Sequence, residues 1–226
     1  MNTPDRETNA IKGCIFDLDG VIVDTAHYHF LAWKRLAGEL GFELTVEQNE
    51  RLKGVSRMHS LEIILELAGI DLSPGEKHAL AEKKNGWFVE YLDRMVPDEI
   101  FPGVKGLIND MKSSGIKVAL ASSSKNADKV IRLLRIQDEF DAVVDGTMIT
   151  HSKPHPEIFL LAASKLGVPA RYCLVFEDAE AGVEAAHAAG MKCIGVGSAA
   201  QLGSAERVIQ KTSDFRISTL RELEIV

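Results

Sequence analysis

Two aspartates, Asp17 and Asp19, close a short apolar run in KGCIFDLDGVIVDT (residues 12–25), and Gly20 follows at once. A strand-like run that ends in two carboxylates puts acid at a strand tip, where a cation or a proton can be handled. Polar residues end other apolar runs in the same way: Ser122 and Ser124 after VALA, Asp145 after DAVV, and Glu177 with Asp178 after CLVF, while Lys153 stands in SKPHPE just before a helix-like segment. Several carboxylates near one point repel one another unless a cation lies between them. Hard oxygen ligands in that number suit Mg²⁺, which keeps waters and commonly bridges to phosphate. One aspartate of such a group can attack phosphorus as a nucleophile. A second, two residues on, can move the proton of the attacking or leaving oxygen. Lys153 and the Ser122 hydroxyl would then hold and neutralise the transferring oxygens, the electrostatic work that dominates phosphoryl transfer. Taken singly, each of these residues reads as a helix cap or a solvated loop residue. Their common placement at strand ends is what points to chemistry.

That placement needs a fold that brings strand tips to one edge. From residue 101 onward, short apolar runs alternate with amphipathic segments: VKGLINDMKSSG helical, IKVALASSS strand, NADKVIRLLR helical, FDAVVDG strand, HPEIFLLAASKLG helical, YCLVFED strand, AEAGVEAAHAAG helical and KCIGVG strand. This alternation predicts right-handed crossovers and a parallel sheet covered on both faces, with ligands bound beyond the carboxyl ends of its strands. Residues 26–96 differ. They read as helical throughout, with Leu36, Leu40, Leu61, Ile64, Leu65, Phe88 and Leu92 at helix-like spacings. We therefore expect a core domain of residues 1–25 and 97–226 and a helical cap domain of residues 26–96, with the two prolines and glycine of VPDEIFPGV marking the return.

Composition narrows the function classes. Lys+Arg number 26 against 33 Asp+Glu, a net charge of −7, and no basic run appears, so nucleic acid and anionic membrane are not expected partners. The first ten residues, MNTPDRETNA, are polar and of mixed charge, and nowhere are there 18 consecutive apolar residues. The reading is a cytoplasmic protein acting as a monomer on a small molecule. Cys14, Cys173 and Cys193 each lie in or beside an apolar run without C-x-x-C spacing, which predicts buried thiols in a reducing compartment.

In order along the chain, DLDGVIVDT, LASSSKN, SKPHPEIF and VFEDAEAG resemble the four motifs of the haloacid dehalogenase superfamily of phosphotransferases, and the likeness runs from residue 12 to about 197. DTAHYHFLAWKRL after the first motif, GVSR and KKN in the helical insertion, and SSSKN after the second strand are similar to the sugar-phosphate mutases within it. The resemblance implies a Rossmann-like doubly wound α/β sheet of strand order 3-2-1-4-5 with an inserted α-helical cap. It also implies an activity, exchange of β-D-glucose 1-phosphate and glucose 6-phosphate through a bisphosphorylated sugar. Asp17 would become the aspartyl phosphate and Asp19 would be the general acid/base. Mg²⁺ would be held by Asp17, the backbone carbonyl of Asp19, Glu177 and Asp178. Ser122 and Lys153 would bind the transferring phosphoryl group, while Arg57, Ser124 and Lys125 would grip the other phosphate, with Asn126 beside them. His29, Trp33 and Lys84 would belong to the cap side and its gating, and Thr25 to the hinge. Ser123 and His155 depart from the pattern, since smaller residues are expected there, and so does the polar N-terminal extension.

Plainer readings stand beside these. His29 and Trp33, one helical turn apart, could pack against the core; Arg57 could be a solvated residue after Gly54; and Lys83 and Lys84, being adjacent, cannot both face one site. His27, His59, His78, His151 and His187 show no ligand spacing and read as surface or capping residues. A sugar phosphatase would use the same core residues, ending each cycle with water. A second phosphate grip separates the two, because a mutase must hold a bisphosphate at both ends.

Overall fold

A computed structural model of the chain describes residues 10–221, so the N-terminal extension up to residue 9 lies outside the described residues. Six strands form one parallel sheet: β1 (Gly13–Phe16), β2 (Lys117–Ala121), β3 (Ala142–Val144), β4 (Cys173–Glu177), β5 (Lys192–Val196) and β6 (Arg207–Ile209), in the order β3-β2-β1-β4-β5-β6. The expected order therefore holds, extended by a sixth strand. β6 is three residues long, too short for a two-residue alternation to be read in sequence.

Register decides what the strand tips share. Phe16 lies opposite Leu120 of β2 and Phe176 of β4, so Asp17 emerges level with Glu177, beside the Ser122 turn. β1 is also where the chain steps out to β2 on one side and returns to β4 on the other. Crossovers diverge at such a point and leave a crevice at the carboxyl edge.

The strands are apolar on both faces, as a sheet covered by helices requires. Phe16, Leu120 and Phe176 point to one face, where Phe16 and Phe176 stack at 4.6 Å and Phe215 meets Phe176 edge-on at 4.9 Å. Ile15, Ala119 and Val175 point to the other, against Ile158, Phe159 and Ala162 of α7 (Glu157–Leu166) and Val183 of α8 (Glu180–Ala188).

Between β1 and β2 the described chain is helical, with no strand: α1 (Thr25–Glu39), α2 (Val46–Asn49), α3 (Arg57–Ala68) and α4 (Pro74–Leu92), followed by α5 (Val104–Ser113) of the core. Local chemistry sets these boundaries. Asp24 caps α1 by accepting the His27 N–H, and Ser56 caps α3, which ends at Gly69 in the left-handed conformation. Ser73 and Glu76 form a capping box at α4 with Pro74 at its first position. Leu36, Leu61, Ile64, Leu65, Phe88 and Leu92 are buried where α1 and α3 pack on α4, while Leu40 is half-buried. Among the described residues no helix is long and apolar enough to cross a membrane.

Phe176 joins both ring contacts on the buried face, so Phe176→Ala should destabilise the fold by about 3–5 kcal/mol. A denaturant midpoint that stays near the wild-type value would contradict this packing.

Candidate active site

The carboxyl edge is built from the tips of β1, β2 and β4. Asp17 is 3 % exposed, and its Oδ1 accepts a hydrogen bond from Lys153 Nζ at 2.6 Å while its Oδ2 accepts the Asp19 backbone N–H at 3.0 Å. The same Lys153 ammonium donates to Glu177 Oε2 at 2.8 Å, so one fully buried cation joins two strand tips. Glu177 Oε1 accepts the Ala179 N–H. Asp19 is held from two sides: the Thr25 hydroxyl at the start of α1 donates to Oδ1, and the Ser122 hydroxyl donates to Oδ2 at 3.4 Å. Ser122 in turn accepts the Ser124 N–H at 3.1 Å.

Two glycines make room for these acids. A methyl on Gly20, whose φ is +76°, would lie 2.1 Å from Asp178 Oδ2, and one on Gly182 of α8 would lie 2.0 Å from Glu177 Cδ. Both positions require glycine by close approach.

A cavity of about 370 Å³ opens above this floor, between the strand tips and the helical insertion. Asp17, Asp19 and Asp178 line it from below; His29, Trp33, Arg57 and Lys84 line it from the insertion; Ser124, Lys125 and Asn126 line it from the segment after β2. Thr25, Ser122, Lys153 and Glu177 stand directly behind, each bonded to Asp17 or Asp19 or, for Glu177, to Lys153. Apart from Asp145, the strand-end acids, the serine pair, Lys153 and the expected insertion residues are thus brought to one place. Lys84, not Lys83, points inward: it is 2 % exposed, donates to Nδ1 of His29 at 2.8 Å and lies 4.3 Å from the centre of the Trp33 ring. Lys83 instead pairs with Glu39 on the outside. Trp33 is both packed and cavity-lining, so its two readings coexist. Arg57 pairs with Glu82 of α4.

One apolar cluster runs through insertion and core, and polar contacts join them beside it. Ser123 Oγ donates to the Gly54 carbonyl at 2.9 Å, Asn126 Nδ2 donates to Asn85 Oδ1 at 2.8 Å, and Lys129 pairs with Asp93 at 2.6 Å. Ser123, one of the departures noted in the sequence, is therefore a bridge between the two parts.

The electrostatics follow from crowding. Burial and the neighbouring Asp17 push the Asp19 carboxyl up to about 7. Burial raises Glu177 to about 7 as well, even though Lys153 opposes the shift. Burial and Glu177 raise Asp178 well above its ordinary value. Burial alone would lower the Lys153 ammonium, but Asp17 and Glu177 hold it above its usual range. These shifts agree once charges are counted: one ammonium cannot neutralise a cluster of carboxylates, so the acids remain destabilised while the cation is stabilised. On the insertion side, burial and Arg57 depress Lys84, and burial with Lys84 and Arg57 depresses His29. Ligand oxygens of Asp17, Glu177 and Asp178 lie within 4.8 Å of one another, an all-carboxylate set that fits a hard divalent cation.

Some assignments need correcting, and some residues were missed. Asp145 does end β3, but its Oδ1 accepts the N–H and hydroxyl of Thr147 at 2.8 and 2.5 Å, closing its own turn rather than joining the cluster. His151, read as lacking ligand spacing, stands against His155 with ring centroids 4.6 Å apart. Lys53 was not singled out, yet it lines the cavity and lies 3.8 Å from Asp178 Oδ2 while pairing with Glu50 at 2.9 Å. Its one sequence signal is the neighbouring Gly54, which breaks the helical run. Glu82, the partner of Arg57, gave none.

A doubly wound parallel sheet that gathers acids at its carboxyl edge, beneath an inserted helical block, defines a class of α/β enzymes whose chemistry sits at the strand tips. The chain belongs to the haloacid dehalogenase-like hydrolase family, whose model matches residues 11–190. It is 44 % identical over 214 residues to a β-phosphoglucomutase of Bacillus subtilis, covering 94 % of this chain and 95 % of that protein. It is 36 % identical over 188 residues to a fructose-1-phosphate phosphatase of Escherichia coli, covering 81 % of this chain and 95 % of that one. Among solved structures, a β-phosphoglucomutase from Clostridium difficile superimposes with a TM-score of 0.89 at 42 % identity, covering 94 % of this chain and 96 % of that chain.

The raised carboxyls give a signed pH dependence. Between their ordinary values of 3.8 and 4.5 and about 7, Asp19 and Glu177 hold protons in the folded state that the unfolded chain has released. Their contribution therefore lowers the stability of the metal-free protein as pH rises through that window. A divalent cation favours the deprotonated acids, so the rise in Tm on adding saturating Mg²⁺ should grow from about pH 5 to about pH 8. A Mg²⁺-induced shift that is flat or shrinks across this range would contradict the reading.

Proposed function

We propose that the chain is a β-phosphoglucomutase, interconverting β-D-glucose 1-phosphate and glucose 6-phosphate through an aspartyl phosphate and β-glucose 1,6-bisphosphate. What supports this reading is a single cavity bordered by two groups of cationic and hydroxyl side chains, each suited to hold a phosphate. At the floor, Lys153 and Ser122 stand against Asp17 and Asp19. Arg57 from the insertion and Ser124 and Lys125 from the core line the cavity above them.

Asp17 is the nucleophile, its carboxylate oriented by Lys153 and the Asp19 N–H. Asp19 serves as general acid/base, since a carboxyl pushed to about 7 can both give and take a proton near neutrality. The Thr25 and Ser122 hydroxyls aim it, which also makes Thr25, at the junction with the insertion, the link between proton transfer and hinge position. Asp17, the Asp19 carbonyl, Glu177 and Asp178 would hold Mg²⁺, which when bound supplies positive charge against the phosphoryl oxygens. His29, Trp33 and Lys84 shape the sugar side of the cavity, with Asn126 beside the second grip. Residues 26–96 act as a cap over a core of residues 1–25 and 97–226. The chain works as a monomer, and its three buried free cysteines suit a reducing cytoplasm.

Water always outnumbers a sugar hydroxyl, so a mutase must make transfer conditional on closure around a bound sugar. The 36 % identical relative that is a phosphatase keeps the hydrolytic alternative in view. Phosphorus NMR with Mg²⁺, a bisphosphate primer and β-glucose 1-phosphate decides between them: glucose 6-phosphate is expected, and inorganic phosphate as the product would overturn the mutase reading. In the same assay Arg57→Ala should lower mutase kcat/KM by about 10²- to 10⁴-fold. Hydrolysis of the phosphoenzyme should change far less, because every residue at the floor remains. Equal losses in both would mean that Arg57 serves folding or the shared chemistry.

A further inference from the structure

The loop that carries Lys153 to Asp17 bears a second group of ligating side chains on its outer side. His151 and His155 flank Lys153 four residues apart, and Glu157 opens α7 two residues later. Ligand atoms of these three residues all lie within 4.8 Å of one another, and the two rings are tilted against each other at 4.6 Å.

The group is organised around the carboxylate. Glu157 Oε1 accepts the Thr150 N–H at 2.9 Å, and Oε2 accepts the His151 N–H at 2.8 Å. These two backbone donors push the carboxyl down to about 2, so it is ionised throughout the range in which an imidazole is neutral. His151 Nδ1 stands 2.9 Å from the same Oε2. An ion that displaces the proton between these two atoms would be met by both of them, and His155 Nδ1 lies 4.0 Å from the same Oε2. His155 is confined between Pro154 and Pro156, whose rings restrict its backbone. Its Nδ1 accepts only a long bond, 3.3 Å, from the Glu157 N–H, which a stronger ligand bond can replace. Both rings are open to solvent, with side-chain exposures of 63 % and 52 %.

We propose that His151, His155 and Glu157 form a site for a borderline divalent ion of the Zn²⁺ class, separate from the all-carboxylate site at Asp17. Imidazole with one carboxylate selects Zn²⁺, Ni²⁺ or Cu²⁺ over Mg²⁺, and solvent completes the shell. An ion held there ties residue 151 to residue 155 across Ser152, Lys153 and Pro154. It would therefore staple the segment that inserts Lys153 between Asp17 and Glu177.

The test is calorimetric titration of Zn²⁺ into the untagged full-length protein in excess Mg²⁺, which masks the carboxylate site. One Zn²⁺ per chain is expected, with His151→Ala and His155→Ala each weakening it by at least about 10- to 100-fold. Neither change should alter Mg²⁺-dependent turnover measured without zinc, which also reports that the variants fold. Long-range ¹H–¹⁵N spectra should show ring-nitrogen shifts at His151 and His155 and at no other histidine. Zinc binding that is unchanged in His155→Ala, that shifts other histidines, that only displaces Mg²⁺, or that is no tighter than millimolar would each overturn the site.

Discussion

One buried ammonium holds the site together. Lys153 lies between Asp17 and Glu177 at 2.6 and 2.8 Å with no exposed side-chain surface, and it binds the tips of two adjacent strands through their charges. Removing one partner of a buried ion pair typically costs about 3–5 kcal/mol, because the charge left behind is desolvated and uncompensated. Here the loss would leave two buried carboxylates facing each other, and one of them would have to take up a proton. The rest of the edge is arranged around that constraint. Gly20 and Gly182 leave space for Asp178 and Glu177, the Ala179 N–H takes the second Glu177 oxygen, and two hydroxyls take Asp19. What remains is a surplus of negative charge at the cavity floor, which a divalent cation would offset.

The sheet and the helical insertion contribute differently to this surplus. Strand register fixes Asp17 beside Glu177 to within a hydrogen bond, and rigid elements hold catalytic groups better than loops do. The insertion supplies cations: Lys53 near Asp178, Arg57 against Glu82, and Lys84 buried beside His29. Direct side-chain bonds from the insertion to the core include Ser123 to Gly54, Asn126 to Asn85 and Lys129 to Asp93. Water can replace such bonds at small net cost, so they hold the two parts together less firmly than buried apolar contacts do.

The parts of this arrangement that follow from periodicity were legible in the sequence. Alternating strand and helix segments gave the parallel sheet, and acids following apolar runs gave its carboxyl edge. Contacts that depend on three-dimensional approach were not. Asp145 ends its strand as the others do, but a hydroxyl two residues on captures it. β6 has only three residues, and Lys53 is a lysine in a helix break whose position becomes apparent only once Asp178 is folded against it. His151 was read as lacking ligand spacing and His155 only as a departure from the family pattern, because spacing along a loop says nothing of approach until Glu157 closes it. The choice between Lys83 and Lys84 could not be made from a helix read alone, since it rests on which face of α4 meets α1.

The central claim is that this crowded edge makes Asp17 the group that carries the phosphoryl. Borohydride reduces an acyl phosphate to the alcohol, so brief incubation with substrate and Mg²⁺, reduction, digestion and peptide mass mapping locate the phosphorylated side chain directly. Reduction is expected at residue 17 alone, converting that aspartate to homoserine in the peptide that also contains Asp19. Modification at Asp19, Glu177 or Asp178 instead, or none while turnover proceeds, would contradict the account.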